Sequence, residues 1–282
     1  MSRSRRRRLR RRAINYDDRR VDLHMHSNRS DGQLTTDMLL RLAAQRGLDI
    51  ISITDHDLPP VLAAGNHQLE DRKVRLVHGV EVSVDLEGSE QHLLVYFPEE
   101  MPMEFRDFCI ERAKRRAERY DELRATLALA NVAPADEDAW QGRRSLTRLH
   151  LAKAVVEAGH ADTCSAVFDR WLRALELSQY FPSMESVIEK AKALGGFSSW
   201  AHPPLEMAVL YTKRMAAIGL DALEVFRPYR RKNHERQLRE LSVRYGLQCS
   251  GGSDTHNDNL GQFSFHAEKI KGWPASFSFQ QS

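Results

Sequence analysis

Six histidines and three carboxylates stand in short clusters along this chain, a mixture suited to holding several metal ions. His24 and His26 lie in Val21-Asp22-Leu23-His24-Met25-His26-Ser27, and Asp31 follows in Ser30-Asp31-Gly32. His56 lies in Ile53-Thr54-Asp55-His56-Asp57, Glu81 in Gly79-Val80-Glu81 and His92 in Gln91-His92-Leu93. His202 follows Trp200-Ala201, while Asp254 and His256 sit in Gly252-Ser253-Asp254-Thr255-His256. On a strand, residues i and i+2 face one side, so His24 and His26 can bind one cation together. Imidazole and carboxylate without sulfur favour Mn²⁺, Fe²⁺ or Zn²⁺ over a thiolate site. Asp22 and Asp55, next to ligands, suit the outer layer in which a carboxylate orients an imidazole. His67, His78, His160, His234 and His266 lack such a setting and read as ordinary polar positions.

Each cluster is expected where an apolar run finishes, so the elements must gather strand ends in one place. Strands are expected over 21–24, 48–53, 75–80 and 91–97, with helices over 35–46 and 61–70. The alternation resumes after Gly195-Gly196, with strands over 197–200, 222–226 and 247–250 and helices over 205–218 and 232–245. Such alternation argues for a parallel α/β sheet or barrel, whose active site lies at the C-terminal strand ends. Between these halves, from about 104 to 180, the pattern is helical, with helices over 146–158 and 166–177. It reads as a helical insertion closing over the ligand-rich end.

The 282 residues can bury a substantial core as one domain with an insertion. No apolar run reaches the ~18 residues of a membrane span, and no secretory h-region stands at the start, so a cytoplasmic location is expected. The three cysteines, Cys109, Cys164 and Cys249, have no paired spacing and read as reduced thiols. The net charge of +3 conceals an arginine-rich arm, with Arg3, Arg5 to Arg8 and Arg10 to Arg12. The arm reads as a solvated, disordered tail or as a non-specific, salt-sensitive grip on RNA phosphates.

The ordered series His-x-His-Ser, Thr-Asp-His, Gly-Val-Glu, Ala-His-Pro and Gly-Ser-Asp-x-His resembles the PHP (polymerase and histidinol phosphatase) superfamily. The resemblance covers nearly everything after the arm. It implies a distorted (β/α)7 barrel over 20–100 and 181–282, a helical insertion over 101–180 and an arm over 1–19. It also implies three divalent metal ions, manganese foremost. His24, His26, Glu81 and Asp254 would hold the first, and Glu81 would bridge to a second held by His92 and His202. Asp31, His56 and His256 would hold the third. Glu81 and Asp254 are then the catalytic carboxylates, with metal-bound hydroxide as nucleophile. The sequence has no Gly-x-Ser-x-Gly elbow and no P-loop, against serine-hydrolase and nucleotide-kinase readings.

Within the insertion, Glu111-Arg112-Ala113-Lys114-Arg115-Arg116 and Leu146-Thr147-Arg148-Leu149-His150 carry the cations. The first also reads as a solvated helix face, and Thr147 as a helix cap or first-turn residue. With Tyr180-Phe181-Pro182, they resemble one branch of the superfamily, the 3′,5′-nucleoside bisphosphate phosphatases and related 5′-to-3′ exoribonucleases. The resemblance implies hydrolysis of pAp-like nucleotides or short 5′-phosphorylated RNA, with Arg112, Arg116, Arg148 and His150 binding substrate. The chain departs from the branch at Leu177-Ser178-Gln179, at Pro204 and at Val95, without loss of a ligand. Two alternatives accompany this reading: another phosphatase of the superfamily, such as a histidinol-phosphate phosphatase, and an RNA- or ribosome-binding factor with structural metals.

Overall fold

A computed structural model describes residues 18–70, 72–135, 144–172, 178–270, 272–274 and 277. The arginines of the arm, at positions 3 to 12, lie outside the described residues. In chain order the strands are β1 (Arg20–Asp22), β2 (Ile50–Ile51), β3 (Gly65–Leu69), β4 (Arg72–Leu76), β5 (His78–Leu86) and β6 (Ser89–Phe97), then β7 (Phe197–Trp200), β8 (Ala222–Phe226), β9 (Gln248–Gly251) and β10 (Phe265–His266). The helices are α1 (Thr36–Gln45), α2 (Met103–Leu129), α3 (Arg148–Glu157), α4 (Cys164–Val167), α5 (Met184–Ala193), α6 (Leu205–Ile218) and α7 (Lys232–Tyr245).

The strands form two five-stranded sheets, ordered β10-β1-β2-β4-β3 and β5-β6-β7-β8-β9. Hydrogen bonds stitch the sheets together on both sides. Val77 N–H donates to Ile51 O where β4 runs on into β5, and Leu23 N–H donates to Gly251 O where β1 meets β9. Parallel bridges Met25–Thr255 and His56–Glu81 continue the seams. The result is a distorted seven-stranded α/β barrel whose core strands run parallel except β6, which is antiparallel to both neighbours. Its strands share one aliphatic and aromatic core, from Val21 and Leu23 through Val80, Leu94 and Trp200 to Val225, and bury a few polar side chains such as Ser199 and Ser250, which bond each other. Strands buried on both faces need such continuous apolar runs.

The segment expected as a helix over 61–70 contains β3 instead, paired antiparallel with β4 from Gly65–Leu76 to Leu69–Arg72. Residues alternate between half-buried and exposed along β3, the two-residue period of a strand covering one sheet edge. The strand expected over 75–80 belongs to two elements that divide at Val77, and the second continues to Leu86. There Glu87 and Gly88, both at positive φ, make a two-residue hairpin into β6. Of the helix expected over 166–177, the described part is the end of α4, which passes into a π turn at Phe168–Leu172, and 173–177 lie outside the described residues.

Between β6 and β7, helices α2, α3 and α4 share a core of their own, including Tyr120, Leu123, Leu151, Val155 and Leu172. At 1.5 Å per residue, the 27 residues of α2 span about 40 Å. Helix α2 therefore climbs from the finish of β6 to the far end of the barrel. Helix α5 leads back down to β7 with Val187, Ile188 and Ala191 in the barrel core.

Candidate metal centre

The C-terminal ends of β1, β2, β7 and β9 run into the loops that carry His24 and His26, His56, His202, and Asp254 and His256. Two ligands arrive differently from the expected strand ends. Glu81 sits in the middle of β5, because the β5–β6 hairpin projects past the level of the cluster. His92 sits near the start of β6, because that strand runs the opposite way. Both still reach the same pole of the barrel.

The donors gather in three overlapping groups, each with ligand atoms within 4.8 Å of one another: His24, His26, Glu81 and Asp254; His56, Glu81 and His92; and His26, Asp31, His56 and His256. Glu81 is the hub. Its Oε1 lies 2.9 Å from His202 Nε2 and 3.0 Å from His92 Nδ1, and its Oε2 lies 3.1 Å from His26 Nε2 and 3.2 Å from His24 Nε2. Asp254 Oδ1 lies 3.1 Å from His26 Nε2, and Asp31 Oδ1 lies 3.2 Å from His256 Nε2. His202 joins through Glu81 and through His92, 3.3 Å away.

Electrostatics favour cations here. Burial alone would raise the carboxyls of Glu81 and Asp254, yet the surrounding imidazoles hold both well below the usual range. Asp31 behaves likewise, beside His56 and His256. Burial also opposes charge on His26 and His92, but the carboxylates more than offset it and push them up to about 10 and about 9. His26 Nδ1, His56 Nδ1, Asp31 Oδ1 and Glu81 Oε2 are buried without a hydrogen bond. Buried polar atoms are rarely left so, and these four belong to the expected ligands. The donor set therefore fits divalent metal ions.

The surrounding layer differs from the expected one. Asp22 and Asp55 orient main chain and hydroxyls rather than imidazoles. Asp22 Oδ1 accepts the Ser253 N–H at 2.8 Å and the His24 N–H at 3.3 Å, clamping the ends of β1 and β9. Burial raises its pKa to about 6. Asp55 accepts from Ser27 N–H, Ser27 Oγ and Ser30 Oγ at 2.6–2.8 Å, shaping the loop between His26 and Asp31. The carboxylate that orients an imidazole is Glu224, whose Oε1 lies 2.8 Å from His24 Nδ1. Burial would raise Glu224, but His24 and Arg227 hold it low. Arg227 also donates to Asp254 Oδ2 at 2.7 Å. The signal for Glu224 was one carboxylate inside the wholly buried run Ala222–Phe226, which needs a paired role.

The arginines expected at the substrate divide. Arg148 pairs with Glu90 and stays partly exposed. Glu90 also accepts from Arg119 Nη1 at 3.0 Å and lies 3.7 Å from His92 Nε2, tying α2 and α3 to the metal pole. Arg116 is buried with its Nε 2.8 Å from Asp57 Oδ2 and its Nη2 on Ser83 Oγ, docking α2 onto the β5–β6 hairpin. Arg112 donates to Tyr180 O at 3.1 Å. His150 is buried, and its Nδ1 accepts the Thr147 N–H at 2.9 Å in a capping box that starts α3.

Residues 22–193 match the family model of the PHP domain. The 5′-3′ exoribonuclease Rnm of Salmonella typhimurium is 31% identical over 252 residues, covering 83% of this chain and 84% of that protein. A phosphoribosyl 1,2-cyclic phosphate 1,2-diphosphodiesterase of Eggerthella lenta is 29% identical, over 83% of this chain and 93% of its own. A 3′,5′-nucleoside bisphosphate phosphatase of Chromobacterium violaceum is 28% identical, over 84% and 87%. In three dimensions the chain is similar to a Bifidobacterium adolescentis protein predicted to be a metal-dependent phosphoesterase. That similarity has a TM-score of 0.68 and 25% identity, over 89% of this chain and 94% of the other. With its barrel, its clustered imidazoles and carboxylates and this match, the chain belongs to the PHP domain family.

Proposed function

We propose that this phosphoester hydrolase cleaves at the 3′-oxygen of a nucleotide whose 5′ position carries phosphate. Its substrates would be 3′,5′-bisphosphates such as pAp and the 5′ end of short phosphorylated RNA, in the cytoplasm. The observation carrying this is Glu90, which sets Arg148 beside the ligand His92. An arginine with one carboxylate partner keeps donors free for a phosphate. Arg112 and Arg116 would then shape that subsite from α2.

Three divalent ions, Mn²⁺ foremost, would be held by the residues expected from the sequence, with Glu81 shared and Asp254 beside it. Bound there, such ions neutralise phosphoryl oxygens and lower the pKa of water to supply a nucleophile. The chain supplies placement: Arg227 and Asp22 hold the Asp254 loop, Glu224 holds His24, and Arg148 orients the substrate.

The test is a manganese-supplemented panel of pAp, a 5′-phosphorylated oligoribonucleotide, phosphoribosyl 1,2-cyclic phosphate, histidinol phosphate and AMP. Turnover of either of the first two, well above the rest, is expected. Preference for the cyclic phosphate or for histidinol phosphate would replace this reading. Deleting residues 1–12 separates the binding-factor alternative, since a phosphatase without its arm still hydrolyses pAp.

A further inference from the structure

Beside the metal pole lies a second feature, away from Arg148 and α3. A cavity of about 480 Å³ is lined by Pro228, Tyr229, Asp254, His256, Asn257 and Gln262, within the roughly 300–1,000 Å³ range of small-molecule sites. Two of its walls, Asp254 and His256, are metal-site residues. Tyr229 is 99% exposed and its backbone takes φ 58°, a left-handed conformation that a bulky side chain seldom adopts. An aromatic ring held in water by a strained backbone has no packing reason to be there, and such outliers cluster at functional sites. Asp57, His202 and Asp254, all at the metal pole, share the positive φ.

Arg230, Arg231 and Lys232 follow at once. Further along α7, Arg239 pairs with Glu235 and Arg236 with Glu240. Among the described residues, no carboxylate lies within 4.0 Å of Arg230, Arg231 or Lys232. Arg230 is partly buried and feels Glu224 and Glu235, whereas Arg231 and Lys232 are exposed. An exposed aromatic ring followed by two such exposed cations is the chemistry that binds single-stranded nucleic acid, the ring stacking a base and the cations following phosphates.

We propose that this cavity and strip receive the nucleotides on the far side of the scissile phosphate, with Tyr229 stacking the first base beyond it. The inference rests on the proposed phosphoesterase reading, and it deepens it. A 3′,5′-bisphosphate ends at the phosphate to be removed and leaves this surface empty. An RNA chain continues across it. The surface would therefore separate RNA from mononucleotide substrates.

The test compares pAp with a 5′-phosphorylated oligoribonucleotide of about ten residues, within the site sizes of single-strand binders. Equilibrium binding to manganese-loaded protein uses the same oligomer with methylene replacing its first 3′-oxygen. Tyr229→Ala should raise KM for the oligomer about tenfold and weaken binding equally. It should leave pAp kcat/KM within about twofold, and Tyr229→Phe should restore the loss. Replacing the exposed Arg231 and Lys232 together by Ala should flatten the log–log salt dependence of binding by about 1 to 1.5. Equal losses on pAp and oligomer, or unchanged oligomer binding in both variants, would overturn the proposal. If the wild-type protein cleaves neither substrate, the functional reading fails. The unreactive oligomer still decides this one: Tyr229-dependent binding supports it, and absent binding rejects it.

Discussion

Glu224 Oε1 lies 2.8 Å from His24 Nδ1, inside a strand that is otherwise apolar, while its other oxygen accepts the His202 N–H at 2.7 Å. One buried carboxylate thus sets the tautomer of one ligand and the backbone of another. Glu224→Gln keeps the shape and removes the charge. Metal affinity should fall about 10–100-fold, as for other carboxylates behind a ligating histidine. A metal titration with circular dichroism checks it; unchanged affinity would demote Glu224 to packing.

Glu81 touches five imidazoles, from His24, His26, His56, His92 and His202. Glu81→Ala should cut bound metal and lower kcat/KM by at least about 100-fold, beyond the loss of a supporting residue. Elemental analysis beside the rate separates lost metal from lost fold. Near-normal turnover would contradict its place as hub.

At Gly252 an added Cβ would meet His24 Cβ at 2.3 Å and His24 N at 2.4 Å. These are backbone and near-backbone atoms, so the chain itself must yield. Gly252→Ala should destabilise by about 1–3 kcal/mol through overpacking and displace His24. Calorimetry should show the lower Tm, and metal content should drop with it. Full metal occupancy would mean the strand end shifts without cost to the site.

Arg148 offers a planar fork that lysine cannot reproduce. Arg148→Lys should raise KM for a 5′-phosphorylated substrate about tenfold at unchanged metal content, by losing a bidentate contact. An unchanged KM would remove Arg148 from substrate binding. A fall in metal content would show that its pairing with Glu90 is structural.

Without metal, His26 and His92 titrate at about 10 and about 9, so both carry protons at pH 7.5. Ligating imidazoles must be neutral, so metal entry should expel those protons. Titrating manganese at pH 7.5 in buffers of different ionisation enthalpy should show release of about two protons or more per chain. Release should shrink as pH rises towards 10, since the free imidazoles then give up those protons before metal arrives. Proton-neutral binding would place the metals elsewhere.

The histidines of the centre, His92 apart, were legible because each follows a strand end in an otherwise apolar context. Glu224 was hidden because a single carboxylate in Ala222–Phe226 belongs to no cluster, and only the third dimension puts His24 beside it. The cap that His150 makes was hidden for a related reason: a histidine three residues after a capping threonine can serve the helix start as readily as a phosphate. Over 61–70, the side-chain pattern did not disclose that pairing with β4 decides for a strand. The reversal of β6 was equally invisible, since a strand carries no local mark of its direction. Pairing partners distant in sequence decide such features, and no window of residues contains them.

That reversed strand separates inheritance from innovation. The chain passes the pole at His92, leaves by the finish of β6, and comes back along α2 before α5 returns it to β7. The first tether, at the finish of β6, lies at the opposite end of the barrel from the ligands, whereas the return meets the β5–β6 hairpin, where Asp85 N–H donates to Pro182 O. Stretches of the excursion away from Arg116, Arg119 and Arg148 can therefore drift in length and composition while the ligand atoms keep their register. A lineage built this way can change its diet without rebuilding its hearth, and the three relatives bear names for three different phosphoesters.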